Sequence, residues 1–377
     1  MDFSFTDEQQ MLQDSVQKFV RENYDFDTRR EILAGEKGYS EDYWNLFAEL
    51  GWLTVPFSEE DGGFGASAVD LMVMMEELGK GIVVEPFVAT AVMAGGLVSG
   101  LGSADQKADL IAKIMSGEVQ LACAISEPES RYNLASVSTS ATQQGATFTL
   151  KGSKVAVLNG GCADSLLVVA RTSGDQLDRD GISVFMVDAS AEGVTRQSYR
   201  NIDGHTAANI RFDNVQVASD QMLGDAGQAL SVLEKVIDIA TVAVAAEALG
   251  ALDSLLQKTV EYSKTRKQFG VPIGTFQALQ HRMADMFIEC QLARSIVLMA
   301  AMKLDSSASD TEKAKAVAAA KSRLGKAIIQ VSQEAVQLHG GIGITEELDV
   351  AHFFKRVTAI ETLFGNTDFH TRRFASL

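Results

Sequence analysis

Four long stretches with a helical pattern dominate residues 228–377, and they constrain the fold more than any other feature of the sequence. They are separated by short segments rich in Gly and Ser, and they run over Gln228–Lys264, Phe276–Leu304, Thr311–Leu338 and Thr345–Phe374. Helices of this length joined by short loops are typical of a bundle, in which each helix buries one apolar face. We therefore predict a C-terminal four-helix bundle over residues 226–377.

Residues 1–120 are also helical in pattern, whereas residues 121–225 are not. Thr6 and Gln9 form a capping box that predicts a helix start, and further helices are predicted over Val69–Leu78 and Asp105–Met115. Residues 121–225 instead alternate with period two or form short apolar runs, which predict strands at Thr147–Lys151, Ser165–Ala170, Ile182–Val187, Ala207–Phe212 and Val215–Val217. The predicted fold is therefore mostly α with a central β-domain, a barrel or sandwich: an N-terminal helical domain (1–120), the β-domain (121–225) and the bundle (226–377).

Charge and composition exclude several classes of partner. The formal net charge of −17 argues against binding to nucleic acid or to an anionic membrane. The three cysteines have no paired spacing, which favours a reducing compartment, and the five scattered histidines predict no metal site. The N-terminus has no basic and apolar signal sequence, and no membrane span is expected, so we expect a cytoplasmic protein.

Two segments combine a basic or amide side chain with glycines that let a ligand approach the backbone. The first is Tyr262–Ile273, with the sequence YSKTRKQFGVPI, and the second is Gln337–Thr345, with the sequence QLHGGIGIT. Glycine permits close approach of backbone N–H donors to a phosphate. Taken singly, each segment could equally be a turn between helices, since glycine at a helix end is usually a cap.

Together and in this order, the two segments resemble the acyl-CoA dehydrogenase family, and the resemblance spans nearly the whole chain. It implies a helical, β-barrel, helical fold, an acyl-CoA substrate and an electron-transfer flavoprotein as electron acceptor. It also implies an FAD held between subunits, because these segments reach the ADP part of an FAD whose flavin ring lies in a neighbouring subunit. The positions carried over are Arg266, Gln268, Phe269, Gln277, Gln337, Gly340 and Gly341.

The flavin-ring side of the family pattern is altered in this chain. The family's Thr-Glu-Pro and its glycine-containing loop correspond here to Ser126–Asn133, with the sequence SEPESRYN, so Ser126 retains a hydroxyl that could donate to the flavin. The family's Trp-Ile-Thr corresponds to Ala156, Val157 and Leu158. Aliphatic side chains cannot replace the hydrogen bond that the threonine donates to the ring.

The catalytic base of the family is also missing from its usual position. The reaction removes a proton from the α-carbon of the thioester, and the glutamate that does so corresponds here to Phe364, with Glu361 three residues earlier. Members that carry the base on the first bundle helix have it at the position of Ala240. Glu247 lies two turns further along the same face, in an otherwise apolar stretch. It is either exposed, paired with a buried arginine, or the catalytic base.

Three hypotheses remain open from the sequence. The altered positions belong to the ring site on this chain's own β-domain, and the retained positions belong to a neighbour's site. The chain is then the smaller subunit of a heteromeric (α2β2) dehydrogenase, resembling those for dicarboxylyl-CoA or steroid side-chain CoA thioesters. Alternatively, it is a self-sufficient homotetramer that uses Glu247 or Glu361 as base, or a non-catalytic scaffold subunit.

Overall fold

The computed structural model describes residues 5–377, which form two compact units. The first, here called the helical unit, comprises residues 5–31, Ser67–Val83 and Thr241–Leu377. The second, here called the sheet unit, comprises Ile32–Ala66 and Val84–Ala240. The three-domain division with boundaries at residues 120 and 225 stays a prediction.

In the part of the chain that the structure describes, six α-helices precede the strands. They are α1 (Asp7–Asn23), α2 (Phe26–Ala34), α3 (Glu41–Glu49), α4 (Ala68–Lys80), α5 (Gly95–Leu101) and α6 (Ala104–Met115), with a π-helical stretch at Val88–Ala94 before α5. Thr6 and Gln9 form the predicted capping box at the start of α1. Ser67 and Ser103 begin α4 and α6 in the same way, so both predicted helices are confirmed.

Five α-helices follow the strands, rather than the four predicted. They are α7 (Leu230–Thr265), α8 (Gln277–Asp305), α9 (Asp310–His339), α10 (Asp349–Thr362) and α11 (Thr367–Ser376). The stretch predicted as one helix over Thr345–Phe374 is therefore two. α7 is long and apolar enough to cross a membrane, but 78% of its most apolar window is buried inside the protein, as is usual for a core helix.

The break between α10 and α11 has a polar cause that a hydrophobic pattern does not reveal. Phe364 and Gly365 have φ angles of 56° and 119°, which end the helix. The buried ammonium of Lys321 in α9 donates to the backbone oxygens there, at 2.9 Å to Glu361 O, 2.9 Å to Leu363 O and 2.7 Å to Gly365 O. Lys321 thus satisfies carbonyl groups that the end of a helix leaves without partners.

Helices α4 and α7 cross within the helical unit with their backbones in contact. A Cβ atom at Gly79 would lie 2.0 Å from the backbone oxygen of Glu247, and one at Gly250 would lie 1.8 Å from that of Glu76. Neither position has room for any side chain. The two glycines therefore set the separation of these helices, and with it the place of Glu247.

The sheet unit contains a single eight-stranded sheet. Its strands are β1 (Leu121–Ala124), β2 (Ser140–Gln144), β3 (Thr147–Leu158), β4 (Ser165–Arg171), β5 (Ile182–Asp188), β6 (Val194–Arg200), β7 (Thr206–Ala218) and β8 (Met222–Leu223). The order is β6-β7-β3-β2-β4-β5-β8, and β1 pairs with β4. The sheet curves so strongly that Phe148 of β3 meets Phe185 of β5, with ring centroids 4.9 Å apart across the buried core.

Arg171, at the end of β4, organises two loops of the sheet unit. Its buried guanidinium donates to six backbone oxygens, those of Ala135, Val137, Ser173, Gln176, Asp178 and Asp180. The first two lie in the segment before β2, and the other four lie in the connection from β4 to β5. One side chain thus provides the hydrogen bonds that loops cannot provide for themselves.

Candidate functional site

The first predicted FAD segment forms a short hairpin after α7. Strands β9 (Lys267–Gln268) and β10 (Val271–Pro272) pair antiparallel around a two-residue turn. The turn residues Phe269 and Gly270 have φ angles of 53° and 86°, as a type I′ turn requires. The side chain of Phe269 is 92% exposed and touches Phe276 edge-on, with centroids 6.1 Å apart. The hairpin therefore presents Arg266, Gln268 and Phe269 outward.

The second predicted FAD segment lies at the end of α9. Gln337 is exposed in the last turn, and Gly340 follows with φ 67° and ψ −149°, a conformation essentially confined to glycine. A Cβ atom added at Gly340, at Gly341 or at Gly270 would meet no atom within 4 Å. The backbone at these glycines is therefore open to close approach by a ligand.

The two segments meet at one edge of the helical unit. The rings of Tyr262 and His339 stack with centroids 4.4 Å apart, and these residues lie directly before the two motifs. Arg282 Nε of α8 and Glu334 Oε2 of α9 are 2.5 Å apart, which places the first turns of α8 beside the last turns of α9. The structure thus brings together the seven residues predicted from the two segments and from Gln277, all of them exposed.

The donor set at this edge fits the diphosphate and adenine of an adenine dinucleotide. Within residues 5–377, the side chains of Arg266, Gln277 and Gln337 make no hydrogen bond or ion pair, so they are free to bind a ligand. No side chain caps the N-terminus of α8, whereas α1, α4, α6 and α9 all begin with capping boxes. A guanidinium, an uncapped helix N-terminus and open glycine backbone all favour an anion.

Two of the positions that correspond to the family's flavin-ring contacts, Ala156 and Leu158, have side chains that cannot donate a hydrogen bond. Ala156 is exposed with φ 53°, at a register shift between β3 and β7, and its N–H donates to Asn209 Oδ1 at 3.3 Å. Leu158, the last residue of β3, is half-buried. The Ser126 hydroxyl, which makes no hydrogen bond within the described residues, is the one predicted ring-side group that is free to donate.

A buried ion pair anchors the loop that contains Ser126. Lys154 Nζ lies 2.7 Å from Glu127 Oε1, and the Glu127 carboxylate also accepts from the backbone N–H groups of Ser138 and Thr139. Burial opposes the ionisation of Glu127, but Lys154, the Ser138 hydroxyl and the Thr139 N–H outweigh it and lower the pKa of Glu127 to about 2. Burial also lowers the pKa of Lys154 to about 8. This pairing was not predictable, because nothing in the sequence links a charge in the loop after β1 with one on β3.

Both carboxylates that the sequence offered as bases are held by neighbouring groups. Glu361 Oε1 accepts hydrogen bonds from the backbone N–H and the hydroxyl of Thr367, both at 2.9 Å. Glu247 is 3% exposed and binds Arg356 through both oxygens, at 2.6 Å to Nε and 2.7 Å to the terminal Nη2. The sequence left three alternatives for Glu247, and the structure shows the one in which it pairs with a buried arginine. A catalytic role for Glu247 stays a prediction.

Comparisons with known proteins cover nearly the whole chain. Three family models match: the acyl-CoA dehydrogenase N-terminal domain at residues 6–118, the middle domain at 122–215 and the C-terminal domain at 227–376. A short-chain specific acyl-CoA dehydrogenase of Megasphaera elsdenii is 30% identical, over 98% of this chain and 97% of its own length.

Solved structures agree with these matches. Butyryl-CoA dehydrogenase from Megasphaera elsdenii superposes with a TM-score of 0.90 at 28% identity, covering 100% of this chain and 99% of its own. One chain of the ChsE4–ChsE5 complex from Mycobacterium tuberculosis gives a TM-score of 0.90 at 25% identity, with 100% of this chain and 98% of that chain covered.

The fold and the donor set define a flavin-dependent dehydrogenase with helical, sheet and helical parts. With three family models and a full-length relative at 30% identity, the chain belongs to the acyl-CoA dehydrogenase family. Its cofactor is FAD, and its class of reaction is the dehydrogenation of an acyl-CoA thioester. The predicted fold class, enzyme class and cofactor are thereby confirmed.

Proposed function

We propose that this chain is the smaller subunit of a heteromeric acyl-CoA dehydrogenase and supplies the ADP-binding half of a shared FAD site. The observation that carries the proposal is a contrast between two sets of positions. The ADP-side residues Arg266, Gln277 and Gln337 are exposed and have no bonding role within the described chain. At the ring-side positions Ala156 and Leu158, neither side chain can donate a hydrogen bond.

The positions of the catalytic base are altered as well, like the ring-side positions. Phe364 cannot accept a proton, and the carboxylates of Glu361 and Glu247 are engaged by Thr367 and Arg356. A base that must abstract the α-proton needs a carboxylate within hydrogen-bond reach of it. The homotetramer hypothesis has less support for this reason, and we infer that the partner subunit contributes both the ring pocket and the base.

In the proposed site, FAD carries out the redox chemistry and this chain's residues bind its ADP part. When bound, FAD supplies the acceptor for the hydride that leaves the β-carbon of the thioester. On this chain, Arg266 pairs with the diphosphate, and the open backbone at Gly340 and Gly341 accommodates its close approach. The amides of Gln277 and Gln337 are available to the adenosine, and the uncapped start of α8 adds a favourable field for the negative charge.

The proposed substrate and partners come from the resemblance and from the comparisons. A two-protein assembly such as the ChsE4–ChsE5 complex supports a heteromeric arrangement. We propose an acyl-CoA of a dicarboxylic acid or a steroid side chain as substrate, in fatty acid or steroid side-chain catabolism. An electron-transfer flavoprotein is the proposed acceptor, and the cytoplasm is the proposed location.

Flavin stoichiometry tests the proposal directly. The chain is purified alone and together with the product of an adjacent gene that retains the Trp-Ile-Thr segment and the base glutamate, and the FAD per chain is measured by absorbance after denaturation. We expect little FAD in the isolated chain and one FAD per two chains in the complex. One FAD per chain in the isolated protein, with turnover, would instead establish a self-sufficient enzyme.

A substitution separates a cofactor-binding subunit from a scaffold. We expect Arg266→Gln to lower the FAD content of the complex without dissociating it, because a charge-assisted bond to the diphosphate is lost. Lys326→Gln, on the exposed surface of α9, is the control and should change nothing. An Arg266→Gln complex with full flavin content and full turnover would favour the non-catalytic scaffold.

A further inference from the structure

We propose that Tyr262 and His339 form a positioning pair that holds the two cofactor-binding segments in register. This inference rests on the proposed ADP-binding site and names the residues that shape it. Neither residue is among the seven predicted to touch the cofactor. Tyr262 lies one helical turn before Arg266, and His339 directly precedes Gly340, so each sits at the base of one segment.

The contact between the two residues combines a ring stack with a hydrogen bond. The ring centroids are 4.4 Å apart and the ring planes are inclined by 29°. The Tyr262 hydroxyl also donates to the backbone oxygen of His339 at 3.4 Å. The bond reaches the main chain immediately before Gly340, so the pair holds both the side chain and the backbone of the second segment.

His339 is itself held in one orientation and one protonation state. Its Nδ1 lies 2.8 Å from the backbone oxygen of Ala335, and since a carbonyl only accepts, Nδ1 carries the proton. Burial lowers the pKa of His339, which keeps the ring neutral at physiological pH. Gly343 closes over it, because a Cβ atom there would lie 2.8 Å from His339 Cβ. The stacking surface offered to Tyr262 is therefore fixed.

The backbone beyond each ring depends on this anchoring. On one side, the Arg266 N–H still bonds to Tyr262 O at 2.8 Å, so the position of Tyr262 sets where the end of α7 delivers its guanidinium. On the other side, Gly340 turns the chain out of α9 with φ 67° directly after His339. The stack thus fixes the separation between the charged group and the open glycine backbone, and pre-organisation of this kind lowers the cost of binding.

The test measures ADP binding to the full chain by ligand-observed saturation-transfer NMR, which detects millimolar affinities. Tyr262→Leu and His339→Leu remove the stack, whereas Tyr262→Phe and His339→Phe retain a stacking ring. We expect each Leu variant to raise the Kd for ADP about tenfold, near the upper value for an aromatic pair. Each Phe variant should raise the Kd less than its Leu counterpart, because the stacking ring is retained although one hydrogen bond of the pair is lost.

Controls separate positioning from general destabilisation. Phe26→Leu removes an aromatic pair with His352, at 4.9 Å in the same helical unit, and should leave the Kd for ADP unchanged. All variants are measured at a temperature where their circular dichroism matches that of the parent. Because the pair acts as one unit, the double variant Tyr262→Leu/His339→Leu should lose no more affinity than either single one.

The outcomes distinguish this inference from the function on which it rests. If the parent does not bind ADP, or if Arg266→Gln leaves the Kd for ADP unchanged, both the proposed site and the positioning pair are contradicted. If Arg266→Gln weakens ADP binding but the Leu variants do so no more than Phe26→Leu, the pair is structural and the proposed site stands. Additive losses in the double variant would also contradict a single unit.

Discussion

At the scale of single residues, the sequence provided a set of predicted site residues but not the contacts that buried residues make with one another. The seven cofactor-side positions could be named because the resemblance to a family carries them over, six from two short motifs and Gln277 from the segment after the first. Glu247 could be recognised as unusual, but its arginine, Arg356, lies 109 positions later, and no local pattern joins them. The Tyr262–His339 stack was not predicted, because the two residues are far apart in the sequence and neither is unusual at the end of a helix.

Substitution of Glu247 tests whether the ion pair is its role. Removal of one member of a buried pair leaves an uncompensated charge, so Glu247→Leu should lower the free energy of unfolding by about 3–5 kcal/mol. The double variant Glu247→Leu/Arg356→Met should recover most of this loss. Urea unfolding followed by circular dichroism measures both.

The same residue can be tested for catalysis in the flavin-containing complex. We expect Glu247→Gln to leave the rate of FAD reduction by acyl-CoA unchanged, because the carboxylate is held by Arg356. Loss of a general base lowers the rate by a factor of about 10²–10⁴. A loss of that size, with the unfolding free energy retained, would show that Glu247 is the base.

The buried Glu127–Lys154 pair predicts a pH dependence of stability. The pKa of Glu127 falls from 4.5 to about 2 on folding, so its stabilising contribution is complete above pH 4.5 and is lost as the pH falls towards 2. We therefore expect Glu127→Gln to be less stable than the parent at pH 7, and the difference to shrink steadily as the pH falls from 4.5 towards 2. Guanidinium unfolding at pH 7, 4 and 3 checks this; a difference that does not depend on pH would contradict it.

At the scale of secondary-structure elements, long periodic stretches were predicted well, whereas exposed strands and helix breaks were not. Helices α7, α8 and α9 lie within two residues of their predicted bounds, because each buries a long apolar face. Strand β6 was missed because nearly all of its residues are exposed, so it has no apolar alternation. The α10–α11 break depends on Lys321, which lies in another helix.

Substitution of Lys321 should loosen the backbone between α10 and α11. Lys321→Met leaves three backbone oxygens without their donor, and a buried polar group without a partner costs about 1–3 kcal/mol. We expect faster hydrogen exchange in the last turn of α10 and the first turn of α11, measured by mass spectrometry. Lys326→Met, at an exposed position of the same helix, is the control and should exchange like the parent.

The β9–β10 hairpin gives a second prediction at this scale. Phe269 occupies a left-handed position for which Asn is a favoured residue and a bulky side chain is not. Phe269→Asn should therefore leave the melting temperature of the isolated chain unchanged or raise it, while it lowers the FAD content of the complex. Unchanged flavin content would mean that the exposed ring has no part in holding the cofactor.

At the scale of the whole molecule, the pattern of charge and apolar surface agrees with a protein that works in an assembly. The chain carries a net charge of −17, yet α8 exposes Ile288, Leu292 and Met299 at helical spacing. Exposed apolar patches of this kind mark contacts with other chains. The fold class was predictable because it depends on pattern alone, but the assembly was not, because it depends on surfaces that meet only between chains.

Charge placed on this face should disrupt the assembly. We expect Ile288→Asp to reduce the molar mass of the purified complex, measured by size-exclusion chromatography with light scattering, because a carboxylate would be buried without a partner. Gln17→Asp adds the same charge at an exposed position of another helix, α1, and shows whether charge alone matters. An unchanged molar mass for Ile288→Asp would exclude this face as a subunit contact.

Arg171 has a consequence for the order of events as the sheet unit forms and opens. Its single guanidinium donates to both the segment before β2 and the connection from β4 to β5, and the Val137 N–H donates to Gln176 O at 3.0 Å, so opening one loop breaks a bond of the other. The two loops therefore belong to one cooperative opening unit, although they are far apart along the chain. We therefore expect the two loops to open together rather than one at a time.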